Sequence, residues 1–261
     1  MLRNRSSDGW KVRAVIGVAG LLGAACSPAL GANYVITWLE MSPTPFNSTV
    51  PNASTFNLPG VGNVTMTYNY PNYFTQTRLQ NAPLTVGSLT SGGDTYSWTN
   101  SEQLATVFSD GPDPLVPIPW SVTYKFPGAQ PAGSVFLSVS GLGQTSSFGG
   151  GASTATVYQT GNFIGDWSGA GGPWGPTLFT PNNPFTMSNS LTGAGGLDPW
   201  WNTPLGVVQI TDAGVTSLTV NLSQIRGDGI GVNIGTTLPG PSAMGVLAMA
   251  LLAAGRRRRV G

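Results

Sequence analysis

Nine carboxylates and the four tryptophans of 141–205 are the side chains from which residues 33–238 could build a reactive or binding site, because the chain contains no histidine. Without an imidazole there is no Ser-His-Asp triad, no histidine general base and no histidine metal site. The single cysteine, Cys26, lies close to the N-terminus. The catalytic option left is a pair of carboxylates of the glycoside-hydrolase kind, facing each other at about 5 to 9.5 Å. Glu40 and Glu102 are the only glutamates, and neither stands in an acidic motif. Glu102 reads as an early-helix or loop residue beside Asn100. Asp110 and Asp113, in Asp-Gly-Pro-Asp-Pro, are a calcium candidate through carboxylate and carbonyl oxygens, although the same residues spell a Pro-stabilised turn. Gly141-Leu142-Gly143 and Gly149-Gly150-Gly151 are not phosphate loops, since no lysine follows and no helix begins there. The expectation is no catalytic residue and no cofactor, calcium apart.

Binding is the chemistry better provided for. Residues 141–205 are rich in Gly, Pro and Asn and carry Trp167, Trp174, Trp200 and Trp201. A stretch of this composition between strands reads as a long surface excursion. Flat rings beside amide and carboxylate groups suit sugars, whose C–H faces stack on indole while Asn162, Asp166 and Asp198 would take the hydroxyls. The competing reading is that these tryptophans pin long loops to the body of the protein, because large aromatics bury much area per residue.

The elements that must hold these residues are strands. Val64, Met66, Tyr68 and Tyr70 alternate with Thr65, Thr67 and Asn69; Val122, Tyr124 and Phe126 alternate with Ser121, Thr123 and Lys125. The same period of two recurs in 134–140, 217–223 and 230–235, with further candidates at 34–39, 95–98, 104–108, 154–159 and 206–211. Only Ser101–Val107, after Asn100 as a possible cap, offers a short helix. The last three strands, with turns at Asp212-Ala213-Gly214 and Arg226-Gly227-Asp228-Gly229, should form a meander. Ten or more short strands without crossover helices imply an all-β antiparallel sandwich, jelly-roll-like, in one domain spanning 33–237.

Charge separates this domain from its ends. The chain has 11 basic and 10 acidic side chains. Residues 33–238 hold three basic against nine acidic groups, a net charge of −6. Such a surface does not neutralise phosphates, so nucleic acid and anionic lipid are not expected partners. At the N-terminus, Arg3, Arg5, Lys11 and Arg13 precede an apolar run from Ala14 to Ala25, the form of a Sec signal peptide over residues 1–32, cut after Gly31 or Ala32. A second route is lipidation at Cys26, which follows Gly23-Ala24-Ala25. At the C-terminus, Leu238-Pro239-Gly240-Pro241-Ser242 is followed by an apolar run from Ala243 to Ala254, then Gly255 and Arg256, Arg257, Arg258 and Arg259. The apolar run makes a helix of about 18 Å, short of a ~30 Å hydrocarbon core. Two fates are open to it, removal or retention as an anchor.

This C-terminal order resembles the PEP-CTERM sorting signal of Gram-negative bacteria, the tag read by exosortases. Pro239, Gly240 and Pro241 occupy the Pro-Glu-Pro positions, with Gly240 where the family has Glu. The resemblance covers residues 238–261 and implies processing by an exosortase-like membrane protease after transient membrane association. The expected function is that of an exported protein of the cell envelope, cell surface or extracellular matrix, structural or adhesive and not catalytic. The alternative is a glycan-binding module using the loop tryptophans on an extracellular polysaccharide; a third is a carboxylate-dependent glycan hydrolase.

Overall fold

Where β-branched and aromatic residues alternate with Ser, Thr and Asn, the backbone is extended and one face of it is buried. The computed structural model describes residues 31–41, 44, 48–69, 74–81, 87–99, 102–108, 118–143, 153–167, 175–190, 203–224 and 229–237. Every regular element among them is a strand: β1 (Asn33–Trp38), β2 (Ser54–Leu58), β3 (Gly62–Asn69), β4 (Phe74–Asn81), β5 (Gly87–Ser91), β6 (Asp94–Trp98), β7 (Glu102–Phe108), β8 (Ile118–Gln130), β9 (Val135–Ser140), β10 (Thr154–Val157), β11 (Gly161–Trp167), β12 (Thr177–Thr180), β13 (Phe185–Asn189), β14 (Leu205–Ile210), β15 (Val215–Gln224) and β16 (Gly231–Thr237). The signal-peptide segment up to Leu30 and the sorting-signal segment from Leu238 lie outside the described residues.

The strands form two sheets. One has seven strands in the order β12-β13-β10-β15-β8-β3-β2, every pair antiparallel. The other has nine and forks at β16. One edge of β16 is covered by β9. The other edge is shared: Gly235 and Thr236 face Trp38 and Thr37 of β1, whereas Gly231 and Val232 face Ala105 and Leu104 of β7. Asn233 stands between the two partners. Its amide Nδ2 donates to the Leu39 carbonyl at 2.9 Å, where the chain leaves β1, and the Leu39 N–H donates to the Ile234 carbonyl at 2.8 Å. The β7 branch continues into β4. The β1 branch continues through the parallel pair β1–β6 to β5 and curls until β5 lies beside β11, at the far end of the same sheet. No ladder joins β5 to β11, so the curl is an almost closed barrel.

Two cores result. The larger lies between the sheets, where Val64, Met66, Val122, Tyr124, Val220 and Leu222 meet Leu137, Val139, Val208, Val232 and Ile234. Each such side chain contributes about 1.5 to 3 kcal/mol on burial. The Tyr124 hydroxyl crosses between sheets to donate to the Val232 carbonyl at 3.2 Å, and burial pushes this phenol far above its ordinary value. The smaller core fills the curl with Ile36, Trp38, Tyr96, Trp98, Phe136, Ile164, Leu205 and Val207.

Three expectations are corrected. The last three strands do not form a meander: β14 and β16 belong to the nine-stranded sheet and β15 to the seven-stranded one. The turn at 211–214 is instead a corner between sheets, as is 131–134. The two corners bond each other's strands, Gly214 N–H to Gln130 O at 2.8 Å and Gly133 N–H to Ile210 O at 3.0 Å, with both glycines at positive φ. Alternation fixes which face is buried but does not say which sheet a strand joins. Second, the short helix expected over Ser101–Val107 gives way to a strand in its described residues, Glu102 onward. Glu102 opens β7 opposite Asn81, because pairing with β4 and β16 overrides a short helical spacing. Third, 141–205 is more than a surface excursion, since β10 to β13 come from it.

The fork predicts that Asn233→Ala, which removes the donor to the Leu39 carbonyl, lowers stability by about 1 to 3 kcal/mol. Urea unfolding measures this, and Asn233→Ser should recover part of the loss.

Candidate functional site

Three of the expected glycan-binding residues fall on β11, and the strand sends them to different places. Asn162 is exposed at one end, opposite Gln209 of β14. Trp167 is at the other end, roughly 15 Å along the strand. A bulge between Phe163 and Gly165 interrupts the alternation. Phe163 therefore packs toward the inter-sheet core, where it stacks on Phe179 at 5.4 Å, while Ile164 and Trp167 turn into the curl. Trp167 is half-buried, with its ring edge-on to Trp98 at 5.8 Å. Its role as a packing residue is thus the one the geometry displays. Trp174, Trp200, Trp201 and Asp198 lie outside the described residues. So do the calcium candidates Asp110 and Asp113, and the sorting residues Pro239, Gly240, Pro241, Arg256, Arg257, Arg258 and Arg259.

Asp166 faces away from Trp167. Its Oδ2 accepts the Thr177 backbone N–H at 2.8 Å, a link from β11 of one sheet to β12 of the other. Its Oδ1 is buried without a partner. The absence of a side chain at Gly206 makes the space: a Cβ there would lie 3.4 Å from Asp166 Oδ1 and 3.1 Å from Thr177 Oγ1. Burial pushes the Asp166 carboxyl above its ordinary value, and the contacts with Thr177 offset part of that rise. Asp166 is thereby a clasp between the two sheets. Among the described residues no three His, Cys, Asp or Glu side chains gather as metal ligands.

Two further arrangements escaped the sequence. The first is aromatic. β1 carries Tyr34, Ile36 and Trp38 on one face, and β6 carries Tyr96 and Trp98 in parallel register with it. Tyr34 stacks on Tyr96 at 4.9 Å, and Trp38 meets Trp98 edge-on at 6.0 Å. Glycines make room for these rings: a Cβ on Gly235 would stand 2.6 Å from Trp38 Cε3. The available signal was the alternation of aromatics in two strands only.

The second is the outer face of the seven-stranded sheet. Register aligns Thr55, Thr65, Lys125 and Ser217 in one row, and Thr67, Thr123 and Thr219 in the next. A third row runs Asn69, Ser121, Asn221, Thr156, Thr186 and Thr180. Neighbouring hydroxyls approach at 3.1 Å for Thr55–Thr65, 2.8 Å for Thr123–Thr219 and 3.3 Å for Thr156–Thr186. The rows carry a single charge, Lys125, on strands about 4.8 Å apart.

No family model, no curated protein and no solved structure matches this chain.

The Asp166 clasp has a pH signature. The folded carboxyl holds its proton to higher pH than the unfolded one. Its contribution to stability is therefore complete below the ordinary carboxylate range and is lost as pH rises through the folded value. Asp166→Asn keeps an acceptor for the Thr177 N–H. Between about pH 4 and pH 7, urea midpoints should fall less in this variant than in the parent.

Proposed function

We propose that this protein is an exported, non-catalytic structural or adhesive component of the cell surface or extracellular matrix. The observation that carries the reading is the outer face of the seven-stranded sheet, where rows of Thr, Ser and Asn cross up to six strands around one lysine. Hydroxyls and amides adhere to neutral, hydrogen-bonding polymers without drawing counterions. A domain of net charge −6 with so few cations has little else to offer a partner. The two cores beneath supply a stiff support for that face. The passage of consecutive strands between sheets at the 131–134 and 211–214 corners supports a jelly-roll-like sandwich. Delivery follows from the ends: a Sec-type leader before Asn33 and a PEP-CTERM-like tail from Leu238, read by an exosortase-like protease.

A second reading, the glycan-binding module, is favoured by Trp167, which is only half-buried. Co-sedimentation of the secreted protein with an insoluble neutral glucan separates the two. Binding to the sheet face should survive Trp200→Ala and added salt, and should fall at least several-fold in Thr123→Arg/Asn221→Arg. Loss in Trp200→Ala alone would favour the loops, and no retention on any neutral polymer would contradict adhesion of this kind. Mass spectrometry of the mature C-terminus tests delivery: chains lacking Arg256 to Arg259 are expected, and an intact arginine cluster would overturn cleavage.

A further inference from the structure

Ala32 is tied to β6 before β1 begins. Its N–H donates to Asp94 Oδ1 at 2.7 Å, and its carbonyl accepts the Thr95 N–H at 2.8 Å. Both partners open β6, so Ala32 extends the parallel β1–β6 contact by one residue ahead of Asn33. The hairpin from β5 holds Asp94 in place: Ser91 faces Asp94 across a two-residue turn, and the turn residues Gly92 and Gly93 both have positive φ. Gly31 runs against the same turn, where a Cβ on it would overlap the Gly93 carbonyl oxygen. Gly31 and Ala32 are themselves exposed.

These bonds distinguish the two candidate ends of the leader. A cut after Ala32 discards both of them and leaves Leu30 as the third residue before the cut. A cut after Gly31 keeps both, and it puts small residues, Ala29 and Gly31, at the two positions that a leader peptidase reads. It also changes the chemistry of one atom. Water adds across the Gly31–Ala32 peptide bond; its oxygen goes to Gly31, which leaves as a carboxylate on the leader. Both of its protons end on the Ala32 nitrogen, which becomes an α-ammonium. The hydrogen bond to Asp94 Oδ1 thereby becomes an ion pair, with three donors on the nitrogen in place of one. The Gly93 carbonyl oxygen faces the place that Gly31 vacates and offers those donors a second acceptor.

We infer that the leader is cut between Gly31 and Ala32 and that the new Ala32 α-ammonium docks on Asp94, fastening the start of β1 to β6; the inference rests on the reading of the N-terminus as a Sec-type leader. Intact mass and N-terminal peptide sequencing of the exported protein test the bond, and a chain that begins at Ala32 is expected. A start at Asn33 or at a lipidated Cys26 would overturn the inference and leave export standing, whereas a retained Met1 would overturn both. The ion pair is tested on the same protein by amine acylation at about pH 7.5, near the ordinary α-amine value. After the cut two primary amines remain, the Ala32 α-amine and Lys125, and only the uncharged form of each reacts. Asp94→Asn keeps an oxygen for the hydrogen bond but removes the charge. It should speed acylation at Ala32 by about two- to fivefold and leave the exposed Lys125 unchanged as an internal control. Equal rates at Ala32 in parent and variant would overturn the pairing. Should the variant not fold, the parent carries the same test: unfolding in urea should raise the rate at Ala32 relative to Lys125, and an unchanged ratio would overturn the pairing.

Discussion

Strand β16 is the constraint on which the rest of the structure depends. A strand has two edges, and here one of them serves two partners in succession, β1 over its C-terminal half and β7 over its N-terminal half. A plain sheet cannot do this without stranding backbone groups at the changeover. Asn233 resolves the problem with a side-chain amide that reaches the Leu39 carbonyl as β1 departs. Everything distinctive follows from that split. One branch extends the sheet through β7 and β4, while the other is free to curl back toward β11 and enclose a second core. The other face of β16, through Val232 and Ile234, anchors the first core against the seven-stranded sheet.

The curl explains much of the composition. Large rings stacked inside a narrow, strongly curved sheet require places where the opposing strand has no side chain. Gly235 beneath Trp38 and Gly87 beneath Trp98 and Trp167 provide them. Glycines that look in the sequence like signs of loops are therefore partly packing partners of tryptophan within strands. The same logic holds at Gly161, where a Cβ would meet Phe185 and Val208 at 2.7 Å. Low charge has a comparable origin: with two apolar interiors and an outer face of threonine pairs, few positions call for charge.

How much of this could be read from the residues depended on whether local pattern or long-range pairing set the outcome. β3 and most of β8 and β15 alternate buried with more exposed positions, while β9 is buried on both faces, and these strands were legible to within a few residues. β5, with Leu89 as its one large apolar residue, and β11, whose alternation the bulge at Ile164 breaks, were not. The parallel pairing of β1 with β6 joins residues about sixty apart and leaves no local trace. The site divides the same way. Asp166 and Trp167 were singled out for their chemistry, but which of these two oppositely facing neighbours turns to Thr177 and which to Trp98 is set by the bulge before them. Trp38 and Trp98 drew no notice because each sits in an ordinary strand pattern; only the curl makes them neighbours.

Amide hydrogen exchange in the native protein tests the central position of β16 most directly. As a strand hydrogen-bonded on both edges and covered on both faces, β16 should contain the slowest-exchanging amides of the chain, with the Leu39 N–H protected alongside Val232 and Ile234. The edge strands β2, β5 and β12 should exchange far sooner. Exchange in β16 as fast as in those edges would contradict the account, because the two branches would then not depend on a common strand.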